Sequence, residues 1–150
     1  MNKKIALFSG RFSPVHLGHV ITIGKLLQKY KKVIVCILDY PGREFCDIGL
    51  VKEIFKNFVK LWAHDSRRIE IVSNKTHFAY IELSEIKDIC SQAWCDVDNT
   101  VYVGGNELVN KHIKELGFPV EFYERSYFYN ATCIRGTKLV KEEKVDELTV

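Results

Sequence analysis

The sequence lacks any long hydrophobic run. Its longest apolar stretches, such as Val33–Leu38, fall far short of the roughly 18 to 20 residues that a membrane-spanning helix needs. The first ten residues, MNKKIALFSG, hold too short an apolar core for a secretory signal peptide. We therefore expect a cytoplasmic protein that does not enter a membrane.

Cysteine pairs with metal-binding spacing are also missing. The five cysteines are an odd number and contain no C-x-x-C motif, which argues against a zinc knuckle and against a disulfide framework. We expect most of them to be reduced thiols in the core, and the alternative is a catalytic cysteine that the fold brings close to a histidine. The cysteines are Cys36, Cys46, Cys90, Cys95 and Cys133.

A strong excess of one charge is absent as well. The 22 Lys and Arg residues outnumber the 19 Asp and Glu residues by three, in a chain of 150 residues that is 47% hydrophobic. This balance excludes disorder driven by charge, and it favours a small anionic ligand over nucleic acid, whose binding surfaces are strongly basic. The composition predicts one domain over residues 1–150, long enough to bury roughly 70% of its unfolded surface.

What the sequence does contain is a regular alternation of strand-like and helix-like segments. Between five apolar, β-branched runs lie segments whose apolar residues recur with helical spacing. This order predicts an α/β fold: a single Rossmann-like domain with a five-stranded, mostly parallel sheet and helices on both faces. The predicted strands are Lys4–Ser9, Lys32–Asp39, Arg68–Ser73, Thr100–Val103 and Val120–Tyr123, and the predicted helices are His16–Tyr30, Leu50–His64, Tyr80–Trp94, Glu107–Gly117 and one beginning near Thr132.

That fold class locates the ligand site. In open parallel sheets, ligands bind beyond the carboxyl ends of the strands, at the point where the strand order reverses. The loops after the first and fourth strands are therefore expected to carry the function. The first of these loops spans Ser9–His19 and has the sequence SGRFSPVHLGH.

Two histidines in this loop mark the start of the next helix. The spacing of His16 and His19 places both rings near the sheet end of that helix. Gly10 lets the backbone leave the strand, and Gly18 leaves room where a ligand approaches closely. Two imidazoles beside free backbone N–H groups and the positive end of the helix dipole predict an anion site that stabilises charge on a phosphate. The alternative is that one histidine is a core residue and the other a surface cap.

The same residues resemble a family signature. GRFSPVHLGH is similar to the G-x-F-x-P-x-H-x-G-H motif of the nucleotidylyltransferase superfamily, and its GRF opening resembles the archaeal type of nicotinamide-mononucleotide adenylyltransferase. The family's second signature lies near the C-terminus and has the form I-S-S-T-x-x-R or Y-S-G-T-x-I-R. Residues Tyr129–Arg135, YNATCIR, resemble it, with Asn130 and Ala131 in place of the small pair.

This resemblance implies transfer of a nucleoside monophosphate from a nucleoside triphosphate to a phosphorylated acceptor, with release of pyrophosphate and with Mg2+ bridging the phosphates. It implies catalytic roles at the phosphates for His16, His19 and Arg135. Two histidines without a third ligand nearby in the motif do not predict a zinc site. The residues implied in nucleotide binding are Gly10, Arg11, Phe12, Gly18, Gly104, Asn106, Asn130 and Thr132.

The loop after the fourth strand carries a weaker signal. Gly104 and Gly105 permit close approach of a flat ring, and the resemblance places the nucleotide base near them. The alternative is a tight strand-to-helix turn in which Asn106 caps the helix. For Arg11, the alternative to a phosphate contact is an ordinary surface ion pair.

Other segments are candidates for the acceptor side. The turn-rich stretch Tyr40–Phe45 and the loop Asn74–Phe78, which contains His77, both follow predicted strands. Trp62 and Trp94 lie on apolar faces of predicted helices, so we expect both to pack in the core rather than stack on a ligand.

These features favour an adenylyltransferase that acts on a small phosphorylated acceptor, with nicotinamide mononucleotide as the first candidate. The alternative within the same class is a cytidylyltransferase that acts on glycerol 3-phosphate or phosphocholine. The alternative from another class is a nucleotide sensor that keeps the binding loops without turnover. The expected partners are a nucleoside triphosphate, with ATP favoured, and the acceptor, while a homo-oligomer stays open.

Overall fold

The computed structural model describes residues 3–12, 15–39, 47–61 and 66–123, in which strands and helices alternate along the chain. The strands are β1 (Ile5–Gly10), β2 (Lys32–Leu38), β3 (Ile69–Asn74), β4 (Thr100–Gly104) and β5 (Val120–Phe122). The helices are α1 (Leu17–Lys29), α2 (Ile48–Leu61), α3 (Leu83–Gln92) and α4 (Glu107–Glu115), with short 3-10 turns at Ser66–Arg68 and Val97–Asn99.

The five strands form one sheet in the order β3-β2-β1-β4-β5. All four strand pairs are parallel, so the prediction of a five-stranded, mostly parallel sheet is confirmed. From β1 the chain builds outward to β2 and β3 on one side, then crosses back to β4 and β5 on the other. The strand order therefore reverses between β1 and β4, which is the position where α/β sheets bind ligands.

Strand β2 explains why helices cover both faces. Every residue from Val33 to Leu38 is buried, and successive side chains of a strand point to opposite faces, so each face needs a cover. On one face Val33, Val35 and Ile37 join a core with α1 and α2 residues, and on the other face Ile34, Cys36 and Leu38 join a core with α3 and α4 residues. The helix residues in these cores are Ile23, Leu26, Leu27, Val51 and Phe55 on the first face and Ile86, Ile89, Cys90, Val109 and Ile113 on the second.

The end of α3 corrects one prediction. The predicted helix Tyr80–Trp94 is confirmed only over Leu83–Gln92, and Trp94 is 87% exposed rather than packed in the core. The residue before it, Ala93, is fully buried as the periodicity predicts, but Trp94 has a φ of 56°, in the left-handed region. The chain thus turns out of the helix at this point and carries the indole ring into solvent. Trp62 lies outside the described residues.

The C-terminal end of α1 is completed by Arg68, which lies in the turn before β3. Its guanidinium donates hydrogen bonds to the carbonyl oxygens of Leu27, Tyr30 (2.7 Å) and Lys31 (2.9 Å). The last carbonyls of a helix lack partners within the helix, and they carry the negative end of its dipole. A cation at this position therefore satisfies them and also fastens α1 to the start of β3.

Glu121 on β5 makes a second link to the same end of α1. Its carboxylate accepts hydrogen bonds from the Lys29 ammonium and from the Tyr30 hydroxyl. Burial alone would raise the pKa of the Glu121 carboxyl, but the bonds from Lys29 and Tyr30 outweigh it and lower that pKa below its ordinary value. Desolvation by burial, together with Glu121, raises the pKa of the Tyr30 hydroxyl. These contacts hold the edge strand β5 against α1.

The described cysteines behave as core thiols. Cys36 and Cys90 are buried and Cys95 is half-buried, and all three are free. Burial raises the pKa of Cys36 and raises that of Cys90 to about 11. A thiol that stays protonated at neutral pH is a poor nucleophile, so neither buried cysteine suits covalent catalysis. In the part of the chain that the structure describes, no helix is long and apolar enough to span a bilayer.

Candidate active site

The point where the strand order reverses lies at the carboxyl edge of the sheet between β1 and β4. The paired residues of these two strands end with Leu7 and Tyr102, whereas β1 stays paired with β2 as far as Gly10. Strand β4 likewise stays paired with β5 as far as Gly104. The loops that follow β1 and β4 therefore leave the sheet on either side of the point where this pairing ends, and we call that position the β1–β4 crevice.

His16 and His19 lie where the chain enters α1. His16 is the N-cap of the helix, and its Nδ1 accepts a hydrogen bond from the backbone N–H of Gly18 (3.0 Å). The Nδ1 of His19 accepts from the backbone N–H of His16 (3.1 Å). The two side chains thus form a reciprocal capping box, a role usually filled by Ser or Thr with Glu. From the sequence, the first backbone N–H groups of this helix were assigned to an anion. The N–H of Gly18 instead donates to His16.

These bonds determine where the ring protons lie. A ring nitrogen that accepts a backbone N–H carries no proton of its own, so both neutral imidazoles hold their proton on Nε2. The rings stack with centroids 3.7 Å apart and an interplanar angle of 21°. The Nδ1 bonds thus make Nε2 the donor nitrogen of each ring.

Phe12 fixes the position of His19. Its ring is 1% exposed and contacts His19 edge to face, with centroids 4.6 Å apart, and also packs against Phe55 (4.7 Å) and Phe8 (5.7 Å). Phe12 has a φ of 52°, a left-handed conformation that costs energy in a bulky residue. The Phe12 ring thus lies in the core, and the predicted contact of this residue with the nucleotide stays a prediction.

Gly10 is needed for the same packing. A Cβ at Gly10 would come within 3.0 Å of Phe12 Cζ and 3.1 Å of its Cε1. From the sequence, the predicted role of Gly10 is to let the backbone turn after the strand. The structure adds that its missing side chain is the space that the Phe12 ring occupies.

On the other side of the loop, Arg11 lies close to His77 from the β3–α3 loop. The pKa of His77 is lowered because burial desolvates the ring and because the Arg11 charge is near it. His77 Nδ1 accepts from the backbone N–H of Ala79 (2.9 Å), and the His77 ring centroid lies 6.2 Å from that of the exposed Tyr80. The fold thus brings the predicted acceptor loop near Arg11.

The loop after β4 is packed tightly. A Cβ at Gly104 would lie 2.5 Å from Tyr102 Cε2 and 2.6 Å from Asn110 Oδ1. The carbonyl oxygen of Gly104 accepts from Asn110 Nδ2 (2.9 Å) and from the backbone N–H of Tyr123 (3.2 Å). Glycine is required here by the neighbours of the loop, before any ligand is considered.

Asn106 caps α4, as the alternative interpretation of this loop predicted. Its Oδ1 accepts from the backbone N–H groups of Leu108 (2.9 Å) and Val109 (3.2 Å). That oxygen is consequently committed to the helix. The predicted contact with the nucleotide base stays a prediction for the rest of the residue.

Sequence reasoning missed Ser9, Tyr102 and Asn110. Ser9 Oγ and the Tyr102 hydroxyl lie 3.0 Å apart at the β1–β4 crevice, and Asn110 is 9% exposed. A signal was available for Tyr102, because a tyrosine inside a buried strand needs a partner for its hydroxyl. For Asn110 the sequence holds no such signal. Helical periodicity places Asn110 beside the apolar positions of α4, but it does not show which group its side chain bonds.

The second signature lies outside the described residues. Asn130, Thr132 and Arg135, the predicted helix near Thr132 and the predicted flap Tyr40–Phe45 all belong to the ranges that are not described. Their roles stay predictions. Across the four described ranges, no cluster of three His, Cys, Asp or Glu side chains is arranged to hold a metal ion.

Comparison with known proteins gives a consistent result, although no protein-family model matches the chain. Nicotinamide-nucleotide adenylyltransferase 1 of Sulfolobus acidocaldarius is 32% identical over 145 residues, which cover 91% of this chain and 78% of that protein. The nicotinamide-nucleotide adenylyltransferase of Sulfurisphaera tokodaii is 30% identical over 157 residues, which cover 95% and 84% respectively.

A solved structure shares the fold. The bifunctional NMN adenylyltransferase/ADP ribose pyrophosphatase of Francisella tularensis superposes with a TM-score of 0.73 at 19% identity, over 97% of this chain. The chain spans 44% of that longer protein. A complex of the same protein with AMP and a Mn ion gives a TM-score of 0.68 at 20% identity, over 97% of this chain and 43% of that one. With two archaeal relatives aligned over most of both lengths, the chain is a member of the nucleotidylyltransferase superfamily and belongs to its nicotinamide-nucleotide adenylyltransferase family.

Proposed function

We propose that this chain transfers the adenylyl group of ATP to nicotinamide mononucleotide, with release of pyrophosphate. The names of the archaeal relatives support the acceptor, and the family supports adenylyl transfer. The observation that carries the proposal is the stacked pair of His16 and His19 at the N-terminus of α1, beside the β1–β4 crevice. Two fixed N–H donors at the positive end of a helix suit a phosphate under attack.

The chemistry needs no covalent intermediate with the protein. An oxygen of the acceptor phosphate attacks the α-phosphorus of ATP, the bond from that phosphorus to the bridging oxygen of the β-phosphate breaks, and pyrophosphate leaves. The reaction is governed by alignment and by neutralising charge on the phosphoryl oxygens. Buried, protonated cysteines are not needed for such a step.

In this mechanism His16 and His19 donate from Nε2 to the oxygens of the α-phosphate. Arg11, which lies near His77, supplies a positive charge to the phosphates of ATP or of the acceptor. Gly18 keeps the start of the helix open to the ligand. Phe12 acts through His19, because its ring packs edge to face against the His19 ring and fixes its position.

The remaining roles are carried by the other loops. We place the adenine beside Gly104 and Asn106, where backbone groups can pair with the edge of the base. Asn130 and Thr132 complete the nucleotide site, and Arg135 holds the β- and γ-phosphates. These last three assignments are supported by the resemblance of residues 129–135 to the second family signature.

Magnesium enters as part of the substrate, MgATP. Mg2+ prefers oxygen ligands and in such sites is bound largely by substrate phosphates and water, with one or two carboxylates at most. Imidazole nitrogens are not its usual ligands, so the histidine pair is left to contact phosphate directly. The related Francisella protein has been solved with AMP and a Mn ion, which supports the use of a divalent ion here.

Pyrophosphate release with paired substrates tests this function. MgATP with nicotinamide mononucleotide should give steady turnover, whereas MgCTP with glycerol 3-phosphate or phosphocholine should not. Without acceptor, MgATP should raise the melting temperature more than MgCTP at equal concentration, because only ligands bound by the folded state stabilise it.

Two results would replace the proposal. A preference for CTP of about tenfold or more would favour the cytidylyltransferase alternative, because unpaired donors in a base site penalise the wrong base by such factors. Stabilisation by ATP without pyrophosphate release for any phosphorylated acceptor would favour a nucleotide sensor. Activity that survives thorough chelation without added Mg2+ would refute the role of MgATP.

A further inference from the structure

Two side chains link β1 and β4 at the β1–β4 crevice. Backbone pairing between these strands ends with Leu7 and Tyr102, two residues before Ser9 on β1. Ser9 lies on the same face of β1 as Leu7, because side chains alternate along a strand. From this face the Ser9 Oγ meets the Tyr102 hydroxyl at 3.0 Å, and this hydrogen bond links the strands beyond their last backbone pair.

Tyr102 is held firmly in place. The residue is 5% exposed, its ring lies 5.4 Å from that of Phe78 between centroids, and the edge of its ring occupies the space that a Cβ at Gly104 would take. A buried hydroxyl without a partner costs free energy, and a phenylalanine would fill the same space without that cost. Ser9 is half-buried, directly precedes Gly10 and Arg11, and follows four buried apolar residues of β1.

The chemistry of the two hydroxyls gives their bond a direction. A phenol is far more acidic than an alkyl alcohol, so Tyr102 is the better donor and Ser9 Oγ the better acceptor. With Tyr102 donating, the proton of Ser9 is turned away from Tyr102. It is then available at the crevice, one residue before the Gly10–Arg11 turn.

We propose that Ser9 donates a hydrogen bond to a phosphate oxygen of the substrate in the β1–β4 crevice, and that Tyr102 is the positioning residue that orients the Ser9 hydroxyl. This inference rests on the proposed function, since it assigns a further contact in the same site. It predicts that Tyr102 acts only through Ser9. The alternative is that the two hydroxyls satisfy each other and serve stability alone.

A double-mutant cycle separates the two explanations. Pyrophosphate release with MgATP and nicotinamide mononucleotide, together with thermal denaturation, is measured for wild type, Ser9→Ala, Tyr102→Phe and the double variant. Tyr30→Phe is the matched control, because Tyr30 is also 5% exposed and its hydroxyl donates to the Glu121 carboxylate, away from the crevice.

We expect Ser9→Ala to lower kcat about tenfold, the usual effect of losing a hydrogen bond to a charged group. Tyr102→Phe should lower kcat about threefold to tenfold, and the double variant should match Ser9→Ala. Tyr30→Phe should lower the melting temperature but leave kcat within about twofold of wild type. Equal kcat for wild type and Tyr102→Phe, or a double variant whose loss is the product of the two single losses, would overturn the inference.

Failure of the proposed function would be seen separately, as absence of pyrophosphate release by the wild type. The same variants are then titrated calorimetrically with MgATP and with nicotinamide mononucleotide. Affinity for one of these that falls about fivefold or more in Ser9→Ala, but not in Tyr30→Phe, supports the contact at Ser9. Unchanged affinity for both refutes it.

Discussion

The two ends of helix α1 are both completed by side chains, but these side chains come from different parts of the chain. At the N-terminal end His16 and His19, three residues apart, cap each other's backbone. At the C-terminal end Arg68 reaches the last carbonyls from a position about 40 residues away along the chain, and Glu121 binds Lys29 and Tyr30 from β5.

The difference separates two tasks within one helix. The C-terminal contacts join α1 to β3 and β5, and their loss would loosen packing across the sheet. The N-terminal hydrogen bonds lie within the first turn of the helix, and they use histidine where serine or aspartate would cap as well. Because imidazole adds a second nitrogen that these residues lack, its use here favours a function for Nε2.

The largest expected effect concerns the N-terminal end. We expect His16→Ala and His19→Ala each to lower turnover by about 10²- to 10³-fold, the usual loss for one preorganised donor to a charged transition state. Pyrophosphate release measures this, with His112→Ala as control because His112 bonds the Ile81 carbonyl on α4's side of the sheet. Turnover near that of wild type in either variant would remove that histidine from the mechanism.

The second effect concerns the C-terminal end and reverses the pattern. Arg68→Ala leaves the carbonyls of Leu27, Tyr30 and Lys31 without their cation, so we expect a loss of about 2 kcal/mol in the free energy of unfolding. Turnover at a temperature where the variant stays folded should be close to wild type. Arg67→Ala removes the same charge from an exposed neighbour and should cost far less in denaturant titration. Equal losses for the two variants would mean that charge, not capping, explains Arg68.

The contrast also shows how far sequence reasoning extends. The five strands and their parallel direction were predicted from β-branched runs separated by helical periods, and the location of the site was inferred from where the strands end. Local caps were within reach too, since Asn106 and Gly117 stand at helix ends in the sequence, and Gly117 has a φ of 86° as a C-terminal glycine should.

Contacts between distant segments were out of reach. Nothing in the sequence links Arg68 to α1 or Ser9 to Tyr102, because such contacts depend on strand register and helix rotation. The same limit explains Trp94. Helical periodicity predicts that the helix continues to this residue, but the left-handed backbone of Trp94 ends the helix and changes the direction of its side chain. From the sequence, Gly10 and Gly104 were explained by backbone freedom and close approach of a ligand. The structure shows that neighbouring side chains fill the space that a Cβ at either glycine would need.

A third, smaller effect tests capping at His16 apart from its chemistry. The sequence suggests that replacing it changes stability little, but His16 is 9% exposed and is the N-cap of α1. We expect His16→Ala to lose about 1 kcal/mol in the free energy of unfolding, and His16→Asn to lose less, because asparagine is a good N-cap. Both should lose turnover alike. If His16→Asn were as unstable as His16→Ala, the cap would not be the source of the loss.

The smallest effect is the pH dependence of the contact between Glu121 and α1. Because its pKa is lowered in the folded state, Glu121 binds fewer protons there than in the unfolded chain, and it stabilises the fold above its ordinary pKa of 4.5. That contribution is lost as the pH falls below 4.5 and through the lowered value. The carboxylate is partly exposed, so we expect a modest difference of about 0.5 kcal/mol between wild type and Glu121→Gln at neutral pH. Denaturant titrations from pH 7 to about pH 3 should show this difference shrinking as Glu121 becomes protonated. A difference that stays constant over this range would mean that Lys29 and Tyr30 do not depend on the charge of Glu121.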